Sequence, residues 1–204
     1  MISRIKLWFQ EIKHNKKIIL ISILFLALAI AFNSIIGNYV DKTASVSVPD
    51  IILDNTPVIN LQFLFIYGIL FIAAVLFFYP LFFKINEFHV VLSQSSLLLI
   101  IRSFFVMLTH LKIPANAIIV SAPKFYDIIN FNNDLFFSGH VATAFLGFLI
   151  FRKQRVGLFF LFATFIMSAT VLLMHLHYSI DVFAALFITY GSFMIGKWFF
   201  KKIE

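Results

Sequence analysis

Long apolar runs recur along almost the whole chain, and they leave it few folds to choose from. Crossing the hydrocarbon core of a bilayer as a helix takes about 20 mostly apolar residues. Hydrophobic residues make up 62% of the 204 positions and charged ones 12%, with a mean hydropathy of +1.01. A soluble globular domain does not carry that excess. Within lipid each backbone N–H and C=O must be satisfied inside its own segment, which calls for helices. The expected fold is therefore all-α: a polytopic membrane protein with six transmembrane helices over about 18–37, 58–82, 90–111, 139–151, 156–175 and 179–200. No repeat or second domain is visible, so 1–204 reads as one membrane domain.

The fourth run is the weakest. It is short from Val141 to Phe151, and only Arg152-Lys153-Gln154-Arg155 separates it from the fifth. A tilted or shortened helix suits it. The first run follows Lys13, Lys16 and Lys17, is longer than a secretory signal core and has no Ala-x-Ala after it, so an uncleaved anchor is expected. The absence of cysteine excludes disulfides and thiolate metal sites. The 29 phenylalanines suit packing and lipid contact and carry no chemistry.

Charge gives the orientation. Arg4, Lys6, Lys13, Lys16 and Lys17, then Arg152, Lys153 and Arg155, then Lys197, Lys201 and Lys202 fall on one side of a six-span topology, the cytoplasmic side by the positive-inside rule. Asp41, Asp50 and Asp54 then lie outside, as do Lys112 and Lys124. An integral protein of the inner or plasma membrane, with both termini cytoplasmic, follows. The net charge of +7 reflects this topology, and no basic groove suggests a nucleic-acid partner.

Two loops matter. In 38–57, Val46-Ser47-Val48 suits a short extended piece within an irregular interfacial cover, and Pro57 suits the first turn of the second helix. Pro80 suits a kink or a stop. The stretch 112–137, with its prolines, asparagines and aspartates, is polar enough to frame a headgroup.

Ionisable residues at the edges of apolar segments point to function, because such groups are expensive there unless they face a cavity or each other. Ser138-Gly139-His140 reads as a helix start: Ser138 as N-cap, Gly139 allowing close approach, and free N–H groups that favour a phosphate. His177 and Asp181, four apart, share a face if helical. The carboxylate then fixes one ring tautomer and leaves the other nitrogen free to attack phosphorus. His140 is the candidate proton donor to a leaving alkoxide. Arg102 is the candidate phosphate clamp. On this topology all four meet at the outer face. No metal and no cofactor is demanded; His175 and His177, two apart, would point away from each other on a helix.

Structural readings compete for each residue. His140 could be a packing histidine, His177 and Asp181 a capping pair, and Arg102 a side chain reaching for headgroups. His14 and His89 suit the cytoplasmic surface, and His110 and His175 the outer rim. Lys124 and Asp134 could simply solubilise their loop.

These residues resemble the type 2 phosphatidic acid phosphatase superfamily, most closely its sphingomyelin-synthase-like branch. Ser138-Gly139-His140 is similar to the superfamily Ser-Gly-His motif. His177-Tyr178-Ser179-Ile180-Asp181-Val182 is similar to the His-Tyr-x-x-Asp-Val form of that branch. Asp134 stands where the branch places an Asp, Arg102, Leu111 and Pro114 keep its spacing, and Ala122-Pro123-Lys124 approximates its Ser-Pro-Lys. The likeness covers about 90–190. It implies a bundle of six helices, an outward-facing site and a phosphohistidine intermediate, with His177 as nucleophile, Asp181 orienting it and His140 as acid. The candidate phosphate contacts are Arg102, Lys124, Ser138 and Gly139, with Asp134, Tyr178 and His110 as supporting candidates. The Lys-x6-Arg-Pro motif of the phosphatase branch is absent, and Ala169-Thr170-Val171 stands where that branch has Ser-Arg.

The expected partner is a membrane lipid carrying phosphate. Hydrolysis needs no second pocket and suits a short chain. Transfer of a phospho-headgroup to ceramide or diacylglycerol uses the same residues. A lipid transporter or an inactive relative is the non-enzymatic alternative.

Overall fold

The computed structural model describes residues 2–121, 133 and 135–200, with side chains for 6–121, 133 and 135–199. It is all-helical: α1 Ile2–Thr43, α2 Gln62–Phe83, α3 Ile85–Met107, α4 Gly139–Phe151, α5 Arg155–Leu173 and α6 Ser179–Phe200, with a 3-10 turn at Leu53–Asn55. Five of the six are long and apolar enough to cross a membrane. The exception is α4, whose 13 residues rise only about 20 Å. This is the shortened fourth helix its composition suggested.

Polarity is inverted relative to a soluble protein. Phe63 and Phe187 are each 77% exposed, with Phe71, Phe82, Phe162 and Trp198 also on the outside, while Gln94, Ser96, Arg102 and Thr189 are buried. Apolar side chains therefore face outward and polar ones pair or pack within.

Short connections set the layout. One residue, Lys84, joins α2 to α3, and its N–H bonds the carbonyl of Pro80. Pro80 thus lies inside the last turn of α2, and the helix carries on past it to Phe83. Three residues join α4 to α5, with the Gln154 N–H on the Phe151 carbonyl. There Gly147 faces the ring of Phe160, and a Cβ would stand 2.3 Å from Cδ1, so only glycine lets these helices close. Helix α1 lies along α3, while α4 packs between α5, α6 and α2. Phe65, Ile66, Leu98, Phe137, Val141, Leu146 and Val171 form the core just beneath the starts of α4 and α6.

Two expectations are corrected. The first helix extends well beyond the expected 18–37 at both ends: α1 runs unbroken from Ile2 to Thr43, and Lys and Gln in its basic start are good helix formers. Pro57 is not in the first turn of α2, which starts at Gln62; it lies in the non-helical run leading there.

Candidate active site

Helix α4 starts at Gly139 and α6 at Ser179, both at one end of the bundle. Asp181, fully buried, joins the two starts. Its Oδ2 accepts the Tyr178 N–H at 3.0 Å and lies 3.1 Å from Nδ1 of His177. Its Oδ1 accepts the Phe136 N–H at 3.1 Å, and its carbonyl accepts the Ser138 N–H at 3.3 Å. Position three of α6 thus bonds back to the N–H of the N-cap residue, the return half of a capping box.

This corrects the sequence picture of His177. It is not on one face of a helix with Asp181; it lies two residues ahead of α6, and the carboxylate folds back to reach it. The capping reading and the pairing reading are both realised by the same carboxylate. With Asp181 at Nδ1, the proton belongs on Nδ1, leaving the Nε2 lone pair open.

Ser138 is at the N-cap of α4, but its hydroxyl makes no cap hydrogen bond. Its Oγ is buried without a partner. The first-turn N–H groups of Gly139, His140 and Val141 have no carbonyl four residues back within the helix. His140 stacks on Phe65 with ring centroids 3.9 Å apart.

Arg102 is buried and does not reach out to headgroups. Its Nε donates to the Phe137 carbonyl at 3.1 Å and its Nη1 to Asn33 Oδ1 at 3.2 Å. Ser103 Oγ donates to the same Asn33 oxygen at 3.1 Å. The guanidinium lies on Gly139, where a Cβ would meet Nε at 3.2 Å. Gly139 therefore serves close approach by an arginine.

A cavity of about 650 Å³ opens on this cluster. His140, His177, Arg102, Gly139 and Asn33 line one part of it. The rest is apolar apart from Ser95 and Thr143, running between α1, α2, α3 and α4 past Leu26, Ile69, Leu76, Phe77 and Leu98. Residues 113–115 and 117–120 contribute to its wall. Its size and its apolar lining with a few convergent polar groups are those of a ligand site.

Other expectations resolve as follows. His175 is not a rim residue: it is buried, with φ 53°. It occupies the left-handed C′ position of a Schellman motif ending α5, with its N–H on Leu172 and the Leu176 N–H on Val171. His110 is exposed and packs edge-on against Tyr39, away from the cavity lining. Tyr178 is buried and supports the site through its backbone and hydroxyl. His89 is half-buried in α3. Lys124 and Asp134, like Ala122 and Pro123, lie outside the described residues. Asn33, Phe65 and Asp50 were not singled out by sequence; an Asn in an apolar run was the available signal for Asn33, and nothing local marks Phe65.

No curated protein and no solved structure matches the chain. The family model described as PAP2 superfamily C-terminal matches residues 133–198, less than half of the chain but inclusive of both histidine motifs. That match supports a place for this protein in the PAP2 superfamily, a superfamily of phosphoesterase-type membrane enzymes.

Proposed function

We propose that this protein hydrolyses lipid phosphates at a membrane surface through a phosphohistidine. The supporting observation is that His177, with Asp181 at its Nδ1, borders the same cavity as His140 and Arg102, and that this cavity continues as an apolar channel. The phosphate would lie against Arg102, the Ser138 hydroxyl and the first-turn N–H groups of α4, where the helix dipole favours an anion. Nε2 of His177 attacks phosphorus, the P–O bond to the lipid alkoxide breaks, and His140 gives the alkoxide its proton. His140 then takes a proton from water, the oxygen attacks phosphorus, the P–N bond breaks and phosphate leaves. Asp181 holds the tautomer and stabilises the imidazolium that forms. The lipid's hydrocarbon would occupy the apolar part of the cavity.

The positive-inside pattern supports an outward-facing site, with both termini cytoplasmic. A second reading, headgroup transfer to a lipid alcohol, draws on the synthase-like spacing: Arg102 and Pro114 both line the cavity. The test is phosphate release from short-chain lipid phosphates by the purified protein, run beside fluorescent ceramide with phospholipid donors. Phosphate release lost in His177→Ala supports hydrolysis; labelled product from ceramide supports transfer. Turnover unchanged in His177→Ala refutes the nucleophile, and no turnover on either panel favours a non-enzymatic role.

A further inference from the structure

The segment between α1 and α2 is tied to the residues flanking His177 by a set of bonds that the proposed chemistry does not use. Oδ2 of Asp50 accepts both the N–H and the hydroxyl of Ser179, at 2.7 and 2.8 Å. Oδ1 of the same carboxylate accepts the N–H groups of Ile52 and Leu53, at 2.9 and 3.1 Å. One side chain thereby closes its own turn and caps the first residue of α6 from a distant part of the chain. The Tyr178 hydroxyl accepts the Val48 N–H at 3.1 Å and donates to the Lys112 carbonyl at 2.9 Å. Lys112 in turn gives its N–H to Val46 at 2.8 Å. Leu53 is buried against Leu135 and Tyr178.

We propose that residues 46–53 form a strap that positions His177, with Asp50 and Tyr178 as its positioning residues. His177 precedes a pair of residues that the strap holds from outside, while Asp181 holds the same turn from within through the Tyr178 N–H and the His177 ring. Freed from the strap, residue 179 would lose its Asp50 cap and residue 178 would keep the Asp181 contact and its hydroxyl's bond to the Lys112 carbonyl, and the His177 ring would lose part of what fixes its depth at the cavity wall. No residue of 44–61 lines the cavity among the described residues. The strap therefore acts through the backbone ahead of α6 and not by touching substrate. This role rests on the proposed reaction, but its test does not depend on that reaction alone.

The experiment compares wild type with Asp50→Asn and Tyr178→Phe in nanodiscs, using phosphate release and the imidazole ¹⁵N resonances of labelled histidine. Asp50→Asn keeps the shape but offers one acceptor oxygen where two are used. It is expected to lower kcat about tenfold or more with KM little changed, as lost support of a reacting group does. The His177 resonances should move from a fixed Nδ1–H tautomer toward an average of both, while exposed His110 stays unchanged. Tyr178→Phe should shift both readouts in the same direction by less. Turnover and His177 resonances both unchanged in folded Asp50→Asn would overturn the strap. A changed His177 tautomer in a protein that releases no phosphate from any lipid would uphold the strap and overturn the hydrolase reading.

Discussion

Oδ1 of Asp181 accepts the backbone N–H of Phe136 at 3.1 Å, so a side chain in the first turn of α6 holds the chain just ahead of α4. Phe136 has φ 80°, a left-handed conformation that a bulky residue adopts at a cost of about 1–2 kcal/mol. The bond to Asp181 and the stacking of Phe136 on Phe105 at 5.7 Å offset that cost. The turn is what brings the Ser138 N–H to the backbone carbonyl of Asp181, whose carboxylate lies against His177. Asp181→Asn should therefore do more than change a charge. It would favour the wrong His177 tautomer, with turnover falling on the order of 10³-fold or more while substrate binding persists. Asp181→Ala should also unfold more easily, since it strands buried N–H donors at about 1–3 kcal/mol each. Steady-state kinetics and thermal unfolding of both variants separate these effects.

The proposed arginine clamp rests on residues from three segments and should fail from any of them. Asn33→Ala removes the acceptor shared by Arg102 and Ser103 and should raise KM for a lipid phosphate several-fold. Gly139→Ala places a methyl 3.2 Å from Arg102 Nε, so the guanidinium must shift by a few tenths of an ångström. Arg102→Lys keeps the charge but loses the fork, and should bind inorganic phosphate more weakly than wild type by calorimetry. Equal phosphate affinity in Arg102→Lys would remove Arg102 from the site.

His175 and His177 should behave as opposites although two residues apart. His175 serves the left-handed end of α5, a conformation that asparagine also accepts. His175→Asn is expected to retain turnover within about threefold and to change stability by about 1 kcal/mol or less. His177→Asn should abolish turnover. Loss of activity in folded His175→Asn would place that ring in the chemistry.

The strap's titrations lie outside the neutral range. Burial acts to raise the Asp50 carboxyl, but the bonds from the Ser179 N–H and hydroxyl, Leu53 and Ile52 outweigh it and hold it below its ordinary 3.8. A depressed carboxyl contributes stability that is complete above its unfolded value and is lost as pH falls through the folded one. Burial first, then the Asp181 and Asp50 charges, hold Tyr178 above its ordinary 10.0 against the opposing bond from the Val48 N–H. Its contribution is lost only as pH rises through that raised value. Between about pH 5 and 9 neither group titrates. The kcat profile of Tyr178→Phe should then be lower than wild type but parallel to it over that range. A change of shape there would mean the strap alters a titrating group directly.

Orientation has a separate check. Asn116 is exposed at the site end of the bundle. A cysteine placed there should react with a membrane-impermeant maleimide added outside intact cells. Labelling only after the cytoplasmic face is opened would reverse the topology.

The helices and the two motifs were legible because they are local. Apolar run length marks a span, and a histidine or arginine at its edge stands out. The short connection through Gln154 and the short α4 could be read the same way; the one-residue turn at Lys84 could not, since the third span was expected only from about 90. The partners of those residues were not legible, because they come from distant chain. Nothing near Asp50 says that its carboxylate caps Ser179, and nothing near Asn33 says that it holds Arg102. Ser138 shows the opposite error: its residue type suits an N-cap, but its hydroxyl is left unpaired among buried groups. His177 was placed on a helix by spacing, whereas its contact with Asp181 arises from a capping turn.

The central claim is that His177 carries the phosphoryl group. Rapid quenching into base of protein turning over a ³²P-labelled short-chain lipid phosphate, followed by peptide mapping, tests it most directly. The expected result is base-stable label on the peptide containing His177, absent from His177→Ala. Turnover with no label on that peptide, and activity persisting in His177→Ala, would contradict it.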